Sequence, residues 1–141
     1  MKYYLLSKHM QGYKDNIEKL TMENNAFRQV LYTGKHSQLV LMALAGGEEI
    51  GQEIHEENDQ FFRFESGQGK VIIDGHEYNV TDGDAVVVPA GSEHNVINTS
   101  LTESLKLYTI YSPPHHEDGT RHDTKAQALA DDEEFSGQTT E

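Results

Sequence analysis

The chain has 141 residues, no cysteine and a formal charge of −13, from 11 Lys and Arg against 24 Asp and Glu. That length fits one domain. The charge opposes a broad nucleic-acid footprint or an anionic lipid surface, and the missing thiols exclude disulfides, thiolate nucleophiles and cysteine-type zinc sites.

Residues 1–24 come first and are polar. Tyr3, Tyr4, Leu5 and Leu6 are the four apolar or aromatic residues before polarity returns, too few for the core of a signal peptide. No later apolar run approaches the roughly 20 residues of a membrane helix. A cytoplasmic location is expected. Met10, Tyr13, Ile17 and Leu20 fall at helical spacing, which predicts a short helix or arm packed on the body.

Residues 25–112 hold most of the β-branched and aromatic side chains. Apolar stretches recur at 27–32, 39–45, 51–55, 60–65, 70–73, 76–80, 85–88, 95–98 and 105–111. Turn formers separate them, among them Gly46-Gly47, Asp82-Gly83 and Ala90-Gly91. Asp74-Gly75 suits the positive φ of a two-residue hairpin turn. About nine short strands at this spacing predict an all-β sandwich or barrel.

Pro113-Pro114 closes the last strand. Residues 115–141 carry eight acids and two bases. They are expected to form a solvated, acidic C-terminal extension. Thr124-Lys125-Ala126-Gln127 predicts a helix start running through Leu129, and 136–141 is expected to be disordered. The predicted division is thus an arm over 1–24, a β body over 25–112 and an extension over 113–141.

Alternation along strands places side chains that could share an ion. Residues i and i+2 of a strand point to one face. Glu53 and His55 therefore agree in direction, as do Gln60, Phe62 and Phe64. His94 follows the turn at Pro89-Ala90-Gly91. A carboxylate, two imidazoles and an amide oxygen at one point would hold a divalent cation. Asp59 competes with Gln60 but is expected to face away, while Glu56 and Glu57 read as solvated loop charges.

Spacing supports that convergence. Gly47, Glu53, His55, Gln60 and Gly67 are separated by five, one, four and six residues. Gly83, Pro89, Gly91, His94 and Asn98 follow, separated by five, one, two and three. The pattern resembles the two motifs of the cupin superfamily, G-x5-H-x-H-x(3,4)-E-x6-G and G-x5-P-x-G-x2-H-x3-N. The resemblance spans roughly residues 28–111. It implies a double-stranded β-helix, or jelly-roll barrel, with one divalent ion inside: Fe, Mn, Zn or Ni. Glu53 replaces the family's first histidine and Gln60 its glutamate. One carboxylate is therefore kept, on a different strand. Glu53, His55 and His94 form the expected ligand set, with Gln60 as a neutral fourth ligand or a donor orienting water or substrate.

The resemblance implies a metal-dependent enzyme of oxygenase, isomerase or lyase type acting on a small molecule. A non-catalytic small-molecule-binding or structural cupin is the alternative. No acid–base group can be placed from sequence, and Tyr78, Tyr108 and His76 are candidates by type alone. Lys35, Arg63, Lys70 and Lys106 are scattered singly, which disfavours a sugar-phosphate isomerase. Phe62, Phe64, Tyr108 and Tyr111 read as core. Arg28 and Arg63 could recognise a substrate carboxylate, with surface pairing to acids the plainer reading. His115, His116 and His122 suggest a metal-binding tail or a lid over the barrel mouth, against a plain solvated segment. A homodimer is expected, with the 1–24 arm covering a sheet edge.

Overall fold

The computed structural model describes residues 9–141. Ten short strands and two helices follow in chain order. They are α1 (Ile17–Glu23), β1 (Arg28–Thr33), β2 (Gln38–Leu44), β3 (Glu53–Ile54), β4 (Asp59–Ser66), β5 (Gln68–Ile73), β6 (His76–Thr81), β7 (Ala85–Val88), β8 (Glu93–Asn98), β9 (Leu105–Ser112), β10 (Arg121–His122) and α2 (Lys125–Leu129). All pairings are antiparallel, in two sheets: β10-β1-β2-β9-β4-β7 and β3-β8-β5-β6. Each predicted stretch between 27 and 111 is a strand, and the architecture is an all-β jelly roll. No described helix is long and apolar enough to cross a membrane.

Alternation decides what fills the space between the sheets. On β4, Gln60, Phe62 and Phe64 are buried while Phe61, Arg63 and Glu65 face outward. Phe62 and Phe64 are fully enclosed and stack with centroids 6.3 Å apart. Val40, Met42 and Leu44 of β2 meet them with Leu105 and Leu107 of β9, and Val71 and Val96 close the core from the other sheet. The inward row of β9 turns polar toward one end, where Thr109 and Tyr111 replace the leucines. That end holds the candidate site.

Asn16 caps α1 by accepting from the Lys19 amide at 3.0 Å. Met10 and Tyr13 lie before this helix and are exposed, at 70% and 41%. The periodicity read from Met10 thus becomes helical only at Ile17. The first eight residues of the predicted arm lie outside the described residues. Thr124 accepts from the Gln127 amide at 3.2 Å and starts α2 as predicted. The Gln127 side chain accepts from Asp123 instead of closing the reciprocal half of the box.

The C-terminal extension is largely exposed, but His116 and His122 are buried and its backbone bonds to the barrel. Residues 113–141 form a strap along the barrel. β10 pairs with β1 through His122–Arg28 and Arg121–Gln29. The Thr140 amide donates to Thr33 O at 2.9 Å. The Glu141 carboxylate accepts from the Gln11 and Gly12 amides and the Tyr32 hydroxyl. Acidic residues can bond backbone amides as well as water, so composition does not show these bonds.

Gln38 fastens the strap. It is fully buried. Its Nε2 donates to His116 O at 2.7 Å and Thr33 Oγ1 at 2.9 Å, and its Oε1 accepts from the His115 and His116 amides. Replacing it by an apolar isostere strands several buried backbone groups, each costing about 1–3 kcal/mol. Gln38→Met is therefore expected to lower urea-unfolding stability by at least ~2 kcal/mol. Amide exchange should accelerate over 115–122 while the β4–β9 ladder keeps its protection.

Candidate metal centre

Three short segments converge at the polar end of the barrel. Glu53 on β3 is paired directly with His94 on β8. Opposed residues of antiparallel strands present neighbouring side chains. His55 lies just past the end of β3, and its carbonyl accepts from the Gly91 amide at 2.9 Å. Gly91 has φ +87°, a left-handed conformation that glycine adopts freely. The turn that delivers His94 is thereby tied to the segment that carries His55. Asn98 donates to the carbonyls of Leu44, Ala45 and Glu103, so this motif residue anchors loops at the opposite end of β8.

The carboxylate of Glu53 and the imidazoles of His55 and His94 each offer a ligand atom, and these lie within 4.8 Å of one another. The two rings are 5.2 Å apart between centroids. Glu53 Oε2 approaches His55 Nε2 to 2.6 Å. The oxygen lies off the direction a ring N–H would take, which leaves His55 Nε2 buried without a hydrogen-bond partner. His94 Nδ1 faces Ser92 O at 3.2 Å. Donation to that carbonyl fixes the tautomer and leaves Nε2 as a lone-pair donor.

Gln60 enters from the facing sheet. β3 and β4 do not pair; Gln60 is paired with Tyr111 of β9, whose ring packs against His55 at 5.8 Å between centroids. Its Nε2 donates to Thr109 Oγ1 at 3.0 Å, and its Oε1 is buried with no partner. An orphaned His55 Nε2 beside a carboxylate and an oriented imidazole fits a divalent cation. Asp59 faces out and accepts from the Ala90 amide at 2.9 Å, and Glu56 and Glu57 are exposed. His76 and Tyr78 are also exposed, and Tyr108 packs against Phe61 on the outer face with the rings tilted by 45°. Arg63 pairs with Glu65 at 2.8 Å.

Ionisation matches the same use. Burial lowers the His94 imidazole, keeping it neutral. Burial by itself would raise Glu53, but the His55 contact and the Arg28 charge hold its carboxyl below the usual range. A neutral imidazole and an ionised carboxylate are the forms that bind metal.

The strap supplies residues that the sequence reading left in solvent. His115 packs on His55 with centroids 4.4 Å apart and stacks on Tyr111 at 5.2 Å. His116 is buried. Its Nδ1 meets Glu133 Oε1 at 2.6 Å and its Nε2 meets the Tyr111 hydroxyl at 3.2 Å. Glu133, His116 and Tyr111 thus form a chain ending beside His55 and Gln60. Burial pushes the Tyr111 phenol up. Burial, then the nearby His116 and His55, push His115 down to about 4. Burial opposes ionisation of Glu133, but bonds from His116 and the Glu117 amide bring it down to about 2. The one signal in sequence was the pair His115-His116 directly after Pro113-Pro114.

Comparison with known proteins bears on this geometry. The profile of the cupin domain matches residues 40–111, half of the chain. The chain belongs to the cupin family. This cupin is 53% identical over 121 residues to the uncharacterized protein YrkC of Bacillus subtilis (strain 168), covering 82% of this chain and 64% of that protein. It thus spans less than two thirds of that relative's length. It is 42% identical over 118 residues to an uncharacterized protein of Acanthamoeba polyphaga mimivirus, covering 82% and 74% of the two chains. A crystal structure from Bacillus halodurans superposes with a TM-score of 0.83 at 46% identity, over 86% of this chain and 96% of that one.

The strap's ionisation carries a pH signature. Both His115 and Glu133 are depressed in the fold, so both contributions are present at higher pH and lost on acidification. The His115 share disappears as pH falls from its ordinary 6.5 toward about 4. The Glu133 share disappears from 4.5 toward about 2. Denaturant unfolding across these windows is expected to show falling stability, with Glu133→Gln flattening the lower window and leaving the upper one.

Proposed function

We propose that this chain is a divalent-metal-binding cupin, with Glu53, His55 and His94 as ligands and Gln60 as a neutral fourth donor, and that it is an enzyme acting on a small molecule held in the barrel. The observation that carries this reading is the cluster of Glu53, His55 and His94, whose ligand atoms lie within 4.8 Å of one another, with His55 Nε2 buried and unpartnered. A divalent ion bound there, Fe, Mn, Zn or Ni, supplies Lewis-acid or redox chemistry.

The chain's own residues divide the remaining work. Glu53 offsets one unit of cationic charge. Ser92 O holds His94 in the tautomer that presents Nε2. Thr109 takes one of the two amide N–H donors of Gln60, and Gln60 Oε1 is left without a partner. His115 and Tyr111 cover His55 and exclude bulk water. Tyr111 holds a proton at its hydroxyl, with His116 Nε2 as acceptor and Glu133 orienting the imidazole. The second reading, a non-catalytic binding cupin, is favoured by one feature: His115 lies directly against His55 and closes the approach.

Elemental analysis of protein purified without chelator or added metal is expected to find about one divalent ion per chain. His94→Ala should lose it, because Ser92 then orients nothing, and wild-type metal content in that variant contradicts the assignment. Gln60→Glu should tighten metal in a chelator titration by adding a second carboxylate; unchanged affinity places Gln60 outside the ligand set. Metal-dependent oxygen uptake or turnover, abolished in the metal-free protein, separates enzyme from binder. The companion expectation of a homodimer is checked by gel filtration over a range of concentrations, and a concentration-independent monomer overturns it.

A further inference from the structure

Arg28 is a buried cation without a counter-ion. It is 8% exposed, on the inward face of β1, opposite Met42 on β2 and His122 on β10. Its Nη1 meets His122 Nδ1 at 3.3 Å, and its Cζ lies 5.4 Å from the Phe27 ring centroid. His122 Nε2 faces Asp131 Oδ2 at 2.9 Å. The imidazole therefore donates to Asp131 and offers Arg28 a single lone pair. Arg28 Nε is buried with no partner. Every ion pair among the described residues belongs to another group. Arg63, whose Nε also lacks a hydrogen-bond partner, differs in sitting on the outer face with Glu65 as its counter-ion.

A guanidinium has five N–H donors in a planar fork, and leaving such a charge buried and unpaired is costly. The position of the charge is informative. It acts on Glu53, Tyr111, His116 and Glu133. The register sets Arg28 beside Met42, and its charge reaches the candidate metal centre and the strap while it forms an ion pair with neither carboxylate.

We infer that Arg28 anchors a carboxylate of the small molecule this barrel takes, the guanidinium fork meeting both carboxylate oxygens while the rest of the molecule reaches the Glu53–His55–His94 cluster. The inference rests on the proposed small-molecule function and narrows its substrate class to carboxylic acids. A single negative charge fits better than a phosphate dianion. Glu53 and Glu133 already place two carboxylates around this space, and a dianion meets stronger repulsion from both. The planar fork also matches carboxylate geometry.

Formate is the smallest carboxylate probe, and formamide is its neutral counterpart. The full chain is titrated with sodium formate at constant ionic strength set by sodium chloride, both as purified and after chelation of divalent ions. The unfolding midpoint is followed, since a ligand of the folded state raises it. Formate is expected to raise the midpoint saturably in both forms, and formamide is not. Arg28→Gln should weaken formate by about tenfold or more, and Arg28→Lys by several-fold, because an ammonium lacks the fork. Formate no better than chloride in the wild type, or wild-type affinity in Arg28→Gln, overturns the assignment. Should Arg28→Gln not fold, wild-type affinity in Arg28→Lys overturns it equally. Stabilisation that vanishes on chelation places the anion on the metal and also overturns it. Metal content is measured in parallel. An absence of metal defeats the proposed function, while the formate result on Arg28 is read separately.

Discussion

The register of a two-residue strand governs this molecule's chemistry. β3 is Glu53 and Ile54 alone, and its pairing with β8 sets Glu53 against His94. Because side chains alternate, a slip of one residue would turn Glu53 outward and Ile54 inward. The backbone bond from Gly91 to His55 locks the same junction from its other side. Strand pairing and one turn bond thus position three ligand-type side chains, with no need for long or flexible connections. Gln60 and Tyr111 arrive from the facing sheet, directly paired with each other across β4 and β9.

The interior is graded along its length. Paired phenylalanines and aliphatic side chains fill one part and make it dry. Thr109, Tyr111, Gln60 and Gln38 fill the other with buried polar groups. Such groups are tolerated when their hydrogen bonds are completed, and Gln38 completes four. Incomplete ones, among the described residues, are His55 Nε2, Gln60 Oε1 and Arg28 Nε on the inner faces and Arg63 Nε on the outer one. Unsatisfied polar atoms are costly in a low-dielectric interior. The inner ones fit a cation and an anion completing this region from outside the chain.

The strap joins fold and site. It extends the six-stranded sheet by β10 and covers the edge of β1, protecting an edge that would otherwise be open to further pairing. It also brings His115 onto His55 and sets Glu133 and His116 behind Tyr111. The same segment supplies edge protection, water exclusion and a proton-holding chain. Its acidic composition serves backbone amides and buried imidazoles as much as solvent.

Alternation and turn chemistry made the strands legible from the chain alone, because period-two burial and glycine or Asp-Gly turns are local properties. Motif spacing likewise marked Glu53, His55 and His94, which the fold brings within 4.8 Å of one another. Local pattern could not say that Gln60 approaches from the opposite sheet, because that depends on which strands pair. Nor could it recover the strap: Gln38 and His116 are 78 residues apart, as are Glu133 and Tyr111 by 22, and contacts at such separation leave no periodic trace. The burial of Arg28 without a counter-ion is a tertiary fact of the same kind. A charged residue in a strand is read as surface until the neighbouring strands decide which way it points.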